Sequence, residues 1–165
     1  MTDFATLLQL LVKHNIDFII IGGAAATTHG SARLTEDLDV VYGRTPENIA
    51  RLAACLVPYK PYLRGAPPGL PFQLDTATIQ RGLNFTLTTE LGALDLFGEI
   101  PEGGRYEDML PHTITITVFG ATCRCLGLKR LIEVKRAAGR PRDLEVVAEL
   151  EALLEEREGR NPHES

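Results

Sequence analysis

The stretch from Asp17 to Tyr42, DFIIIGGAAATTHGSARLTEDLDVVY, constrains the fold of this chain more than any other. An apolar run, Phe18-Ile19-Ile20-Ile21, stops at Gly22-Gly23; an Ala/Thr-rich segment and a polar turn follow, then Asp37-Leu38-Asp39-Val40-Val41. The first run has the length and β-branched composition of a strand, and the glycines punctuate its end. Asp-Leu-Asp-Val alternates with period two, so a strand here places Asp37 and Asp39 on one face and Leu38 and Val40 on the other. Two carboxylates about 6.6–6.8 Å apart on one strand face repel by roughly 2–3 kcal/mol at an effective dielectric near 20. Aspartate is also a poor strand former. A divalent cation held between the acids is the simplest compensation for both penalties.

An Asp-x-Asp pair alone is weak evidence, because such pairs occur in many surface strands and turns. Its setting adds the weight. The pair follows a strand–Gly-Gly–helix unit, where glycine lets backbone N–H groups approach a phosphate and the helix start favours anions. A phosphate cradle beside a divalent-cation site is what nucleotide chemistry requires.

These residues resemble the nucleotidyltransferase superfamily that includes DNA polymerase beta. Its pattern is Gly-Gly or Gly-Ser, a gap, two acids flanking one apolar residue, and a third acid on a later strand; the gap here is residues 24–36, long for the pattern. The segments GGAAATTHGSARLTEDLDV, LDLF and KRAAGRPRDLEVV together look like small bacterial nucleotidyltransferase-like proteins related to the AbiEii toxin group. The resemblance covers residues 16–150, and its first block is the specific one.

Bulk properties bound the reading. With 165 residues, the expectation is a single domain over residues 1–155 followed by a frayed charged tail, 156–165. A hydrophobic fraction of 44% and a charged fraction of 24% are ordinary for a globular protein. The net charge of −5 gives no global basic footprint for nucleic acid, so an RNA contact needs a local basic patch or a partner chain. Cys55, Cys123 and Cys125 form no CxxC pair and read as half-buried thiols of a reducing compartment. No window has the length of a membrane span and the N-terminus lacks a basic leader, so the expected location is cytoplasmic.

Along the chain, Phe4, Leu7, Leu8 and Leu11 mark a helix over residues 3–14, with Thr2 or Asp3 as cap. Residues 24–29 read as a short helix ended by Gly30. Thr45-Pro46-Glu47 starts a third helix that carries Ile49, Leu52, Ala53 and Leu56 inward. Residues 58–71, PYKPYLRGAPPGLP, read as a stiff loop. Its Tyr59, Lys60, Tyr62 and Arg64 either face a base or acceptor, or belong to a rigid surface crossing. Residues 83–97 read as a hairpin turning near Glu90-Leu91-Gly92, with Asp95 between Leu94 and Leu96. Residues 113–126 form a second hairpin around Gly120. Helices follow over residues 128–138 and from Pro141 onward. Lys135 lies on the apolar stripe of the first of these, either snorkelling to its edge or reaching a cleft.

The expected architecture is therefore α+β: a mixed, largely antiparallel sheet flanked by helices, which the resemblance names a minimal nucleotidyltransferase fold. The resemblance also implies a mechanism. Asp37 and Asp39 hold two Mg²⁺ ions with bound NTP, and Asp95 completes the metal set and takes the acceptor proton; Asp75 and Glu99 are weaker alternatives for the third acid. Gly22 and Gly23 cradle phosphates, Arg33 and Lys135 neutralise them, and Arg140 touches the nucleotide or an RNA backbone. The implied activity is transfer of a nucleoside monophosphate from an NTP, such as ATP, to a hydroxyl on RNA, a protein or a small molecule. One role within it is a toxin acting on tRNA, paired with an antitoxin or an acceptor-binding partner chain. The alternative is a non-catalytic nucleotide-binding or interaction module that keeps the fold.

Overall fold

The computed structural model describes residues 1–32 and 35–160. Seven strands form one sheet in the order β3-β4-β5-β2-β1-β7-β6. At its centre, β1 (Phe18–Ile21) runs antiparallel to β2 (Asp37–Tyr42), with Ile21 opposite Asp39. The short helix between them, α2 (Gly22–Thr28), follows from an apolar strand that ends on two glycines. Both glycines lie inside this helix, whereas the sequence suggests that it starts at residue 24.

The two predicted hairpins flank this central pair, and each joins it in parallel. Strands β4 (Asn84–Thr89) and β5 (Gly92–Phe97) form one hairpin, and β5 lies parallel to β2. Strands β6 (Thr113–Val118) and β7 (Ala121–Leu126) form the other, and β7 lies parallel to β1. Four antiparallel and two parallel pairings result, so the sheet is mixed and largely antiparallel, as expected. Strand β3 (Tyr62–Leu63) pairs with β4 at the edge, inside the segment that reads as loop. A two-residue strand among prolines carries too little alternation to be recognised from sequence.

Helices pack around the sheet. Asp3 caps α1 (Phe4–Lys13) by accepting the Thr6 amide, and Thr45 caps α3 (Pro46–Leu56) by accepting that of Asn48. Helix α4 (Thr76–Arg81), capped by Asp75, has too few apolar positions for its period to show. Helix α5 (Tyr106–Met109) is a single turn. Helices α6 (Leu128–Ala138) and α7 (Pro141–Arg160) are joined at Gly139, whose φ of 68° is a left-handed conformation favoured by glycine. Because α7 continues to Arg160, residues 156–160 are helical where the sequence suggests fraying; residues 161–165 lie outside the described part.

The core runs along both sides of the central strands. Ile19, Ile20, Leu38, Val40, Leu94 and Leu96 are essentially inaccessible. Thus the apolar residues beside the acids in β2 and β5 point inward, and the acids take the other face. The three cysteines are buried thiols, deeper than the half-burial expected. No described helix is long and apolar enough to cross a membrane.

One buried polar residue ties the far end of β1 and β2. Asn48, fully inaccessible on α3, accepts from the Asp17 amide at 2.7 Å and donates to the carbonyls of Gly43 (2.7 Å) and Asp17 (3.1 Å). Removing its amide strands buried backbone groups, which costs more than a net hydrogen bond contributes. Asn48→Ala is therefore expected to lower unfolding free energy by about 2–4 kcal/mol in urea denaturation. A loss below about 0.5 kcal/mol, the size of an ordinary surface substitution, would contradict this bridge.

Candidate active site

The sheet register creates the acidic cluster. Asp39 and Asp95 are paired positions on the parallel strands β2 and β5, and Asp37 lies one pleat before Asp39 on the same face. One carboxylate oxygen from each of Asp37, Asp39 and Asp95 lies within 4.8 Å of the others. The structure thus gathers the three acids singled out from sequence. The alternatives lie elsewhere: Asp75 accepts the Thr78 amide at the start of α4, and Glu99 lines a separate shallow hollow with Asn84, Asp108 and Arg130.

Asp39 is the strained member of the cluster. Its Oδ1 is buried without a hydrogen-bond partner. Burial, then the neighbouring charge of Asp95, side-chain hydrogen bonding to it, and the charge of Asp37 push the Asp39 carboxyl up to about 7, against a small opposing pull from Lys135. A buried carboxylate oxygen with no partner, beside two more carboxylates, suits a hard divalent cation that takes oxygen ligands.

Gly22 makes the close approach possible. Its φ is +66°, and a Cβ there would lie 2.2 Å from Asp39 Oδ2. At Gly23 a Cβ would come 2.7 Å from Thr35 Oγ1. Any other side chain at either position would push β2 or its entry away from α2.

A cleft of about 260 Å³ opens beside the acids, lined by Gly23, Asp37, Asp39, Lys135, Arg140 and Arg142 among others. Lys135 therefore reaches the cleft from α6, with its side chain only 13% exposed. Burial lowers its pKa, against the pull of Asp143 and Asp39. Asp143, in the first turn of α7, is buried beneath this wall. It accepts Arg140 Nε at 2.6 Å and Nη2 at 3.2 Å, and lies 3.9 Å from Lys135 Nζ. Burial by itself would raise the Asp143 carboxyl, but Arg140 and Lys135 hold it below its usual range. One buried acid thereby holds two cations at the cleft. The i,i+3 spacing of Arg140 and Asp143 around a helix start was the available signal.

A second unassigned contact comes from the proline-rich segment. Arg64 Nη2 meets Asp95 Oδ1 at 2.5 Å and the Leu87 carbonyl at 2.8 Å, and Nη1 lies 3.6 Å from Asp37 Oδ2. Of its neighbours, Lys60 pairs with Glu90 and Tyr62 ties down its own loop. Arg33 lies outside the described residues. His29 is structural: it is buried, its Nε2 contacts the Leu126 carbonyl at 2.8 Å, and burial lowers its pKa.

No protein-family model matches the sequence, and no curated protein matches it significantly. Solved structures do match the fold. The chain is similar to the lincosamide antibiotic adenylyltransferase LnuA with lincomycin bound, at 15% identity and a TM-score of 0.60, covering 92% of this chain and 96% of that one. It is similar to the nucleotidyltransferase candidate TM1012 of Thermotoga maritima, at 11% identity and a TM-score of 0.57, covering 90% and 94%. A third similar structure is ANT(2'')-Ia in complex with adenylyl-2''-tobramycin, at 15% identity and a TM-score of 0.51, covering 95% and 98%.

The raised pKa of Asp39 gives a signed prediction. A carboxyl whose folded-state pKa lies above its unfolded value contributes stability below about pH 4 and loses it as pH rises toward about 7. In EDTA at pH 8, Asp39→Asn is expected to stabilise the protein by on the order of 2–4 kcal/mol. The advantage should close as pH falls toward 4, read as melting temperature against pH. Equal melting temperatures at pH 8 would show that Asp39 carries no such burden.

Proposed function

The chain has a nucleotidyltransferase-like fold, and on that premise we propose that it transfers a nucleoside monophosphate from an NTP to a hydroxyl acceptor. The observation that carries this reading is the convergence of Asp37, Asp39 and Asp95 within 4.8 Å, at a cleft whose other wall holds Lys135 and Arg140. Acids alone would suit a cation, and cations alone an anion. Facing one another across one cleft, they suit a metal-bound triphosphate.

The three acids would hold divalent ions, two Mg²⁺ in this proposal, whose chemistry is to neutralise phosphate oxygens and acidify the acceptor hydroxyl. The rest falls to the chain. Lys135 and Arg140, kept at the cleft by Asp143, attract the β- and γ-phosphates and stabilise charge on the leaving group. Gly22 and Gly23 leave the backbone bare where phosphate approaches. The acceptor oxygen forms a bond to the α-phosphorus as the bond from that phosphorus to the bridging oxygen breaks. Pyrophosphate departs with the electron pair, and the hydroxyl proton passes to an Asp95 carboxylate oxygen. Arg33 joins the phosphate-binding set as a proposal from sequence.

The similar structures LnuA and ANT(2'')-Ia are described with lincomycin and with adenylyl-2''-tobramycin bound. By analogy, a hydroxyl-bearing small molecule is the first acceptor class to offer. A tRNA acceptor, with the toxin role and antitoxin partner it implies, rests on motif resemblance and is a separate arm of the same assay.

The protein is incubated with each α-labelled NTP and Mg²⁺, together with a small-molecule extract, total RNA or total protein. Label should move into one of these pools, and Asp37→Ala/Asp39→Ala should reduce transfer at least about a hundredfold while remaining folded. Equal transfer by that variant would overturn the reading. Nucleotide binding without pyrophosphate release would replace it with a non-catalytic nucleotide-binding module.

A further inference from the structure

Arg64 is placed where a metal would compete with it. Its backbone N–H donates to the Thr86 carbonyl at 3.0 Å, extending the β3–β4 pairing by one residue. The loop beyond it is tied down. Tyr62 Oη donates to the Pro67 carbonyl and accepts the Leu70 amide at 3.2 Å, and the Tyr62 ring meets Phe72 edge-on at 6.2 Å. From this mount the side chain crosses β4 to reach the acids. One guanidinium engages Asp95 and Asp37 together and is anchored by the Leu87 carbonyl, while its Nε is buried without a partner. Asp39, the third acid, has no such contact and keeps an orphaned oxygen.

Three carboxylates converging without a counter-charge would push one another apart. A guanidinium, with its fixed fork of donors, can hold two of them in place. Resting on the reading of the acids as a metal site, we propose that Arg64 is a positioning residue: a resident counter-ion that keeps Asp37 and Asp95 converged in the metal-free protein and yields their oxygens when a divalent cation binds. Its contact competes with the metal's, because Arg64 Nη2 lies 2.5 Å from Asp95 Oδ1, and a cation drawing on that carboxylate meets the guanidinium's positive charge at the same oxygen. Metal loading therefore includes the loss of that ion pair, and the resting site is both assembled and guarded.

The test reads metal affinity, which a merely structural arginine would not improve. Mn²⁺ binding is measured by isothermal titration for the wild type, Arg64→Met and Arg64→Lys, with metal-free melting temperatures alongside. Arg64→Met should melt lower without metal, yet bind Mn²⁺ about tenfold more tightly, equivalent to about 1.4 kcal/mol. Arg64→Lys, whose ammonium cannot span both acids and the Leu87 carbonyl, should fall between the two. Unchanged or weaker Mn²⁺ binding in Arg64→Met would overturn the proposal, as would absence of binding in every form. Binding by the variant alone would support it. If Arg64→Met does not fold, Arg64→Lys decides: tighter binding supports the proposal and equal or weaker binding ends it. Failure of nucleotide transfer is read in the labelled-NTP assay and leaves this affinity comparison intact.

Discussion

The structure depends on a register. Asp39 on β2 lies directly beside Asp95 on β5, and a slip of one residue would turn every side chain of either strand to the other face. The slip is prevented from below. Leu38 and Val40 on β2, and Leu94 and Leu96 on β5, are fully buried beneath the acids. The apolar residues thus pin the charged ones, and the repulsion among three carboxylates is opposed by burial of the residues between them.

Charges in the walls temper that repulsion unevenly. Arg64 covers Asp95 and Asp37 from the β3 edge, and Lys135 lowers the burden on Asp39 only slightly from α6. Asp143 holds Lys135 and Arg140 in turn, so the cationic wall rests on its own buried anion. The result is an assembled site with one oxygen of Asp39 unpartnered. A fold can carry such a penalty where binding relieves it, and a buried carboxylate oxygen left unsatisfied among other carboxylates calls for that kind of explanation.

How much of this was legible in the sequence follows from the range of each interaction. Asp3 and Thr45 declare their helices because a cap acts within three residues. Strands β2, β4, β5 and β7 show their alternation locally, and the glycine at the α2 entry announces a close approach. The parallel placement of both hairpins against the central pair involves residues far apart in the chain and leaves no local pattern. Arg64 sits in a proline-rich segment that reads equally as surface, and its partners Asp37 and Asp95 lie 27 residues before it and 31 residues after it in the chain. Asn48, polar on an amphipathic helix, looks like a solvent residue until the strand ends it bridges are known. Asp143 likewise has an ordinary reading as a first-turn acid, which conceals its hold on Arg140 and Lys135.

The central claim is that three carboxylates on two adjacent strands grip divalent ions at a nucleotide cleft. A crystal structure with Mn²⁺ and a non-hydrolysable NTP analogue tests it most directly, since anomalous scattering locates the ions independently of the protein. The account predicts Mn²⁺ peaks about 2.1 Å from oxygens of Asp37, Asp39 and Asp95, with the phosphates toward Lys135 and Arg140 and the Arg64 guanidinium withdrawn from Asp95. Ions or nucleotide bound elsewhere, with Arg64 still paired to Asp95, would contradict it.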